Sequence, residues 1–300
     1  MVSEVAMEIR QLKSFVTVAR VGSFTKAAEM LDYAQSTITA QVQSLEEELD
    51  NRLFERLGRK VVLTREGEKL LAYADQILKL SAEAREVLSG SAAPRGALSI
   101  GAPESLCVYR LPGLLHKYRK MYPAVEITLK IGTCADFIQW LRSNEIDVAL
   151  FLEKKMNIQD LIARPLIYEP MAVLAGSGHP LARKEQIGLY DLQGEYLILS
   201  ERGCSYRSAF EDMLNKAGVR PSSSLEFGSV EAIKKCVISG LGITLLPRVA
   251  VEAEVAEGQL VDLNWSGPDF NMTTQIVYHK DKWISPALQA LLDLAGETIK

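Results

Sequence analysis

No stretch of eighteen consecutive apolar residues occurs in the 300-residue chain, so the sequence offers no membrane-spanning helix. Its opening, MVSEVAMEIRQLKSF, carries early acids and no apolar core, which is not the pattern of a signal peptide. The expected location is the cytoplasm. Cysteine is scarce. Cys107, Cys134, Cys204 and Cys236 stand 27, 70 and 32 residues apart, which suits neither a zinc site nor a disulfide framework. Reduced and mostly buried thiols are the expectation. Histidine is scarcer: His116, His179 and His279 are scattered, with no nucleophile or second metal ligand beside them. GSGHP at 176–180 and GLG at 240–242 fall short of a phosphate loop. Neither catalysis, nor a metal, nor a cofactor is expected. Positive charge is also short. The net charge is −4, and residues 1–65 balance nine basic against nine acidic side chains. Attraction for nucleic acid would have to come from local placement of charge.

What is present is an ordinary globular composition, 48% hydrophobic and 24% charged, long enough for two or more domains. In residues 8–65, Leu12, Phe15, Val16 and Ala19 recur at helical spacing up to Gly22. Ser23 then suits an N-cap, with Ala27, Ala28 and Leu31 as the apolar stripe behind it. In YAQSTITAQVQSLEEEL, residues 33–49, Ile38, Val42, Leu45 and Leu49 form one helical face. The other face carries Gln35, Ser36, Thr39, Gln41 and Gln43. Two helices joined by a short turn at 32–34 describe a helix-turn-helix. Arg52 to Arg65 then alternates around Gly58 as a β-hairpin wing, with five cations and one acid.

In a helix-turn-helix the start of the second helix meets base edges in the major groove. Gln pairs bidentately with adenine, and hydroxyls serve bases or phosphates. The DNA-contact candidates are therefore Thr25, Gln35, Ser36, Thr37 and Thr39 on the helices. On the wing, Arg56, Arg59 and Lys60 are candidates for phosphates or the minor groove. The acids Glu46 to Glu48 belong on the half away from DNA. The alternative is a solvated polar helix beside a basic hairpin.

Residues 66–90 carry a heptad seam, Leu70, Ala74, Ile77, Ser81, Ala84 and Leu88. Either a partner copy or the helix's own domain covers it. A long helix with nothing yet to cover it favours a dimer, with Leu70, Ala74, Ile77, Ala84 and Leu88 as its contacts. SGSAAPRG follows as a small-residue linker. From 96 onward strands and helices alternate: ALSIGA, VEITLKIG, IDVALFL, then MAVLAG, EYLILS, SLEFGS, ITLLP and late TTQIVYHK. That predicts α/β architecture with mainly parallel sheets in two subdomains, the C-terminal segment returning to the first.

Over nearly its whole length the chain resembles a LysR-type transcriptional regulator. The resemblance is carried by GSFTKAAEMLDYAQSTITAQVQSLEEELDNRLFERLGRKVVLTREGEKLL, by HPLA at 179–182 and by SGLGITLLP at 239–247. It implies a winged helix-turn-helix at 1–65, a linker and dimerisation helix at 66–90, and a periplasmic-binding-protein-like effector domain at 91–300. Subdomain I is expected at about 96–167 and 270–300, and subdomain II at about 168–269. The implied protein binds promoter DNA as a dimer or tetramer. A small effector in the inter-subdomain cleft changes its DNA-binding geometry. The implied partners are double-stranded DNA, a small effector, further copies of the chain and RNA polymerase, with no membrane. Ala34 and Ser36 stand where many members have Ser and Pro, which bears on target sequence.

Ligands of open α/β sheets sit beyond the carboxyl ends of strands, facing helix N-termini. Four such ends are readable: Pro103-Glu104-Ser105, Gly132-Thr133, Gly203-Cys204-Ser205 and Gly228-Ser229. Ser105 and Thr133 match positions that commonly hold ligand in the family. With Arg202 and Arg207 nearby, the expected effector is anionic, a carboxylate. The effector-binding candidates are Ser105, Thr133, Arg202, Gly203, Cys204, Ser205, Gly228 and Ser229. For each Ser or Thr, simple N-capping is the alternative. Cys204, between two arginines and before a helix, is expected to have a lowered thiol pKa. A redox-sensing regulator of the same fold, using Cys204, is the alternative function. It lacks the nearby resolving cysteine that the family's peroxide sensors hold.

Overall fold

The computed structural model describes residues 7–57, 60–88 and 93–299, and of residues 56, 57, 60 and 86–88 only the backbone. The chain divides into two compact units, Met1–Ser91 and Ala92–Lys300.

The first unit opens with α1 (Ile9–Val21), α2 (Phe24–Leu31) and α3 (Gln35–Glu48). Ser23 caps α2 by accepting from the Lys26 amide, and Asp32 ends it in the left-handed region at φ 56°. The hairpin β1 (Phe54–Leu57) and β2 (Lys60–Leu63) pairs antiparallel, Phe54 opposite Leu63. Helix α4 (Arg65–Leu88) follows, 24 residues long. Leu12, Phe15, Val16, Leu45, Leu53 and Ala74 form one core cluster, and Val18, Ala27, Ala28 and Ile38 another. Phe54 joins them, its ring 5.3 Å from Phe15 and 5.7 Å from Phe24.

This core corrects the seam read on α4. Ala74 is fully buried in its own unit, and Leu70, Leu71, Ile77 and Leu78 pack on the same cluster. The face that stays open is a different one: Tyr73 is 65% exposed and Leu80 56%. Ala84 is exposed as well, and the Leu88 side chain lies outside the described residues. The heptad spacing was real, but α1 already covers its first half.

The second unit holds two five-stranded sheets. The elements in chain order are β3 (Gly96–Ala102), α5 (Glu104–Tyr109), α6 (Leu111–Met121), β4 (Val125–Ile131), α7 (Cys134–Arg142), β5 (Val148–Glu153) and β6 (Leu161–Tyr168). Then come β7 (Met171–Gly176), β8 (Tyr196–Ser200), α8 (Ser205–Lys216), β9 (Ser223–Phe227), α9 (Val230–Ile238) and β10 (Ile243–Pro247). The last are α10 (Glu252–Ala256), β11 (Leu260–Asp262), β12 (Thr273–His279) and α11 (Pro286–Thr298). One sheet has the order β4-β3-β5-β12-β6 and the other β11-β7-β10-β8-β9. Strand β5, VALFLE, is apolar and buried on both faces because helices cover both.

The sheets are mixed rather than mainly parallel. β12 runs antiparallel to β5 and β6, and β7 antiparallel to β10 and β11. Each exception is a strand at or beside a crossover between the sheets, where the chain arrives from the opposite side. The crossover from β6 to β7 carries Glu169, which is wholly buried. Arg110 donates to both of its oxygens, at 2.6 and 3.2 Å, and Thr274 donates at 3.0 Å. The Glu169 amide donates to the Met272 carbonyl at 2.8 Å, joining the two crossover strands.

Candidate functional site

In the second unit a cleft lies where strands of the two sheets end. The ends of β3, β4, β8 and β9 supply its walls, as the strand-end rule requires. Ser105, Thr133, Gly203, Cys204, Ser205 and Gly228 all line it, together with Glu104, Cys134, Leu152, Ser200, Glu201 and Phe227. Ser105 lies in the first turn of α5 and is 4% exposed, yet its Oγ has no hydrogen-bond partner. A buried hydroxyl without a partner costs free energy until something enters to meet it. Ser200 Oγ, also buried, lies beside the Cys204 thiol and the Tyr206 hydroxyl but completes no hydrogen bond of ordinary geometry.

Thr133 is occupied by local duties. It is the N-cap of α7, donating its hydroxyl to Asp136 at 2.7 Å and accepting from the Asp136 amide. Asp136 Oδ2 also accepts from the Thr133 amide at 2.8 Å, and the bonds it receives from Thr133, side chain first and backbone second, hold the Asp136 carboxyl below its usual range. The first amides of α8 have no side-chain cap. The two walls touch. Cys134 Sγ lies 3.1 Å from Ser205 Oγ. Gly203 sits at φ 91°, and a Cβ there would come within 3.2 Å of Thr133 Cγ2. Both the backbone angle and the closeness of the opposite wall demand glycine.

The expected cationic charge is not in the cleft. Arg202 does not line it, and its side chain is 89% exposed, with Nε 3.8 Å from Glu226. Arg207 is buried and held by the Ser200 carbonyl at 2.5 Å, Glu226 at 2.6 Å and Glu211 at 3.0 Å. Sequence proximity placed both arginines near the site, but Glu226 arrives from β9 and takes their charge. Ser229, the N-cap of α9, lies just outside the lining. Two carboxylates line the cleft as well: Glu104, at a strand end the sequence marks but not among the binding candidates, and Glu201, which the sequence does not mark. Burial raises the pKa of Glu104; the Val230 amide, donating to its carboxylate, pulls it back.

The thiols also differ from expectation. All four cysteines are half-buried. Burial pushes the Cys134 thiol up to about 11 and also raises Cys204, against smaller opposing effects from Ser200 and the Arg207 amide. With its two arginines paired elsewhere, Cys204 lacks the positive surroundings that would lower it.

In the first unit the start of α3 is open: Gln35 and Ser36 are exposed, and Thr37 and Thr39 half-exposed. Ala34 provides no side-chain cap, which leaves the first amides of α3 free of one. Thr25 donates to Gln35 Oε1 at 3.1 Å, which orients that amide across the turn. Thr39 donates to the Gln35 carbonyl at 2.9 Å. Gln41 instead faces α1 and accepts from buried Ser14 at 2.5 Å. The acids have structural roles that the sequence reading missed. Glu46 accepts from the amides of Leu53, at 2.7 Å, and Phe54, at 3.2 Å, fixing where the hairpin leaves α3. Arg59 and the side chains of Arg56 and Lys60 lie outside the described residues.

Residues 9–68 match the family described as bacterial regulatory helix-turn-helix protein, lysR family, and residues 91–300 match the LysR substrate binding domain. The chain is 40% identical over 295 residues to the Bacillus subtilis HTH-type transcriptional regulator YwqM, covering 98% of this chain and all of that one. Among solved structures, a full-length OxyR variant from Pseudomonas aeruginosa is 27% identical with a TM-score of 0.72, covering 98% of this chain and 95% of that one. The Synechocystis CcmR regulatory domain, in complex with 2-PG, is 28% identical with a TM-score of 0.62, covering 69% of this chain and 98% of that one.

Proposed function

Because this chain belongs to the LysR-type transcriptional regulators, a family with a DNA-binding and an effector-binding domain, we propose that it couples a small carboxylate effector in the cleft to its grip on promoter DNA. The observation that carries the effector site is Ser105, a buried hydroxyl without a partner on the wall of an α/β strand-end cleft. With Arg202 and Arg207 engaged elsewhere, the carboxylate rests on amide donors. The starts of α7 and α8 face the cleft and carry partial positive charge. Gly203, Cys204 and Ser205 contribute backbone at the start of α8 and Gly228 just before α9, and Thr133 holds α7 in place. The ligand seen with the related CcmR domain supports a small-molecule effector for this type of domain.

The effector acts by bridging walls that already touch through Cys134 and Ser205, so its binding alters the angle between the subdomains about the Glu169 crossover. On the DNA side, Gln35, Ser36, Thr37 and Thr39 reach base edges or phosphates, with Thr25 positioning Gln35. Arg56, Arg59 and Lys60 neutralise phosphates. A second copy packs on the open Tyr73 and Leu80 face of α4.

Isothermal titration of the full-length protein with small organic acids tests the cleft. Ser105→Ala combined with Thr133→Val is expected to weaken the binding acid by at least about tenfold, through the lost Ser105 hydrogen bond and an uncapped start of α7. An unchanged affinity places the effector elsewhere.

A further inference from the structure

Among the described residues, the lining of the cleft includes two carboxylates and no lysine, arginine or histidine. The cations around it are spent. Arg207 is held by Glu211, Glu226 and a carbonyl, and Lys234 by Glu231, Glu254 and the Ala250 carbonyl. Glu104 opens α5 and receives the Val230 amide, but its Oε2 is buried without a partner. Burial raises its pKa, and the charges of Glu201 and Glu231 push it further up, against a smaller lowering by Lys234, whose ammonium is itself held by Glu231 and Glu254. A carboxylate held this way repays its desolvation when an opposite charge arrives. None of the chain's own described cations lines the cleft, so that charge comes with a ligand. Beside it stands Ser105, 4% exposed, its Oγ also unpartnered.

We propose that the effector carries an ammonium group as well as a carboxylate, its nitrogen lodged among Glu104, Ser105 and Glu201. This deepens the effector reading above and rests on it. An ammonium is compact and offers three donors, which match two carboxylates and one hydroxyl. The carboxylate lies at the amide ends of α7 and α8, and Leu152 and Phe227 supply an apolar wall between the two heads. The ligand class is that of α-amino acids and short amino acids of similar length. A dicarboxylate would set its second charge against Glu104 and Glu201.

The test uses the full-length protein and matched pairs: L-alanine, L-serine, L-leucine, L-methionine, L-glutamate and L-lysine, each against the 2-hydroxy acid with the same side chain. Affinities are read by isothermal titration at neutral pH. At least one amino acid is expected to bind about tenfold or more tighter than its hydroxy partner, since a charge-assisted hydrogen bond separates them. Glu104→Gln, nearly isosteric, is expected to remove most of that preference while leaving the hydroxy acid's affinity unchanged or improved. Its melting temperature serves as the folding control, with Glu201→Gln as a second variant. Hydroxy acids or dicarboxylates that bind as well as amino acids, or no amino acid binding at all, overturn the ammonium inference and leave the effector reading standing. An amino acid response untouched by Ser105→Ala with Thr133→Val removes the cleft itself as the site.

Discussion

Cys204 shows how a residue's chemistry is set by what reaches it from elsewhere in the chain. In sequence it lies between Arg202 and Arg207 and directly before a helix, a setting that favours thiolate. In the structure Glu226 takes both arginines and burial raises the thiol pKa. Cys134, across the cleft, is raised from 9.0 to about 11 for the same reason. Two pH units mean about a hundredfold less thiolate at neutral pH, offset about tenfold by the greater nucleophilicity of a more basic sulfur. Cys134 is therefore expected to react with iodoacetamide roughly tenfold slower than a free thiol at pH 7.5. Its rate should climb with pH until about 11. Single-cysteine variants followed by mass spectrometry measure this. DNA binding is expected to stay within about twofold after mild peroxide. A large peroxide response that vanishes in Cys204→Ser would restore the redox-sensing alternative.

At the scale of elements, the start of α4 docks on the hairpin more tightly than its sequence suggests. A Cβ on Gly67 would stand 2.2 Å from the Leu53 carbonyl oxygen, and the Gly67 amide is held by Thr64 Oγ1 at 2.9 Å. Gly67→Ala is therefore expected to destabilise the first unit by about 1–3 kcal/mol through overpacking, read as a lower denaturant midpoint. Stability within a few tenths of a kcal/mol of wild type would mean that the helix start is free to shift. Farther along α4, the buried and open faces make opposite predictions. Ile77→Asp puts a charge into the unit's own core and should unfold it. Leu80→Glu, on the open face, should leave the fold intact and halve the mass in sedimentation. An unchanged mass for Leu80→Glu places the contact between copies elsewhere.

At the scale of the whole molecule, the buried pair of Arg110 with Glu169 ties the two crossovers of the effector domain. Arg110→Met strands a wholly buried carboxylate and is expected to cost about 3–5 kcal/mol. Calorimetry should register a fall on the order of 10 °C in the melting temperature of this unit. Arg110→Met with Glu169→Met should recover most of it, and a single variant as stable as wild type would deny the pair that role. On DNA, six wing cations from a dimer should give log K against log salt a slope of about −5. Arg59→Ala should weaken all sequences alike. A loss confined to one base position would mean that Arg59 reads bases.

Local chemistry was enough to mark the helix-turn-helix, its wing and the strand ends of the cleft. Apolar spacing, the Ser23 cap and the turn at Asp32 act between residues close in sequence. Ser105 was legible because a residue just past a strand, at the opening of a helix, lands at the carboxyl edge of the sheet wherever that sheet packs. Strand β6 was not legible. Pro165 and Arg164 interrupt its apolar pattern, and it survives as an edge strand with an irregularity opposite Gln275. Nor were the antiparallel pairings, the covered half of α4 or the fate of the arginines. Each depends on a partner distant in sequence: β12 beside β6, α1 against Ala74, Glu226 on Arg207. Periodicity shows which residues share a face, but burial and pairing of charge are decided by what arrives opposite, and only the tertiary structure brings Glu201 to the same cleft as Glu104 while leaving its described lining without a cation.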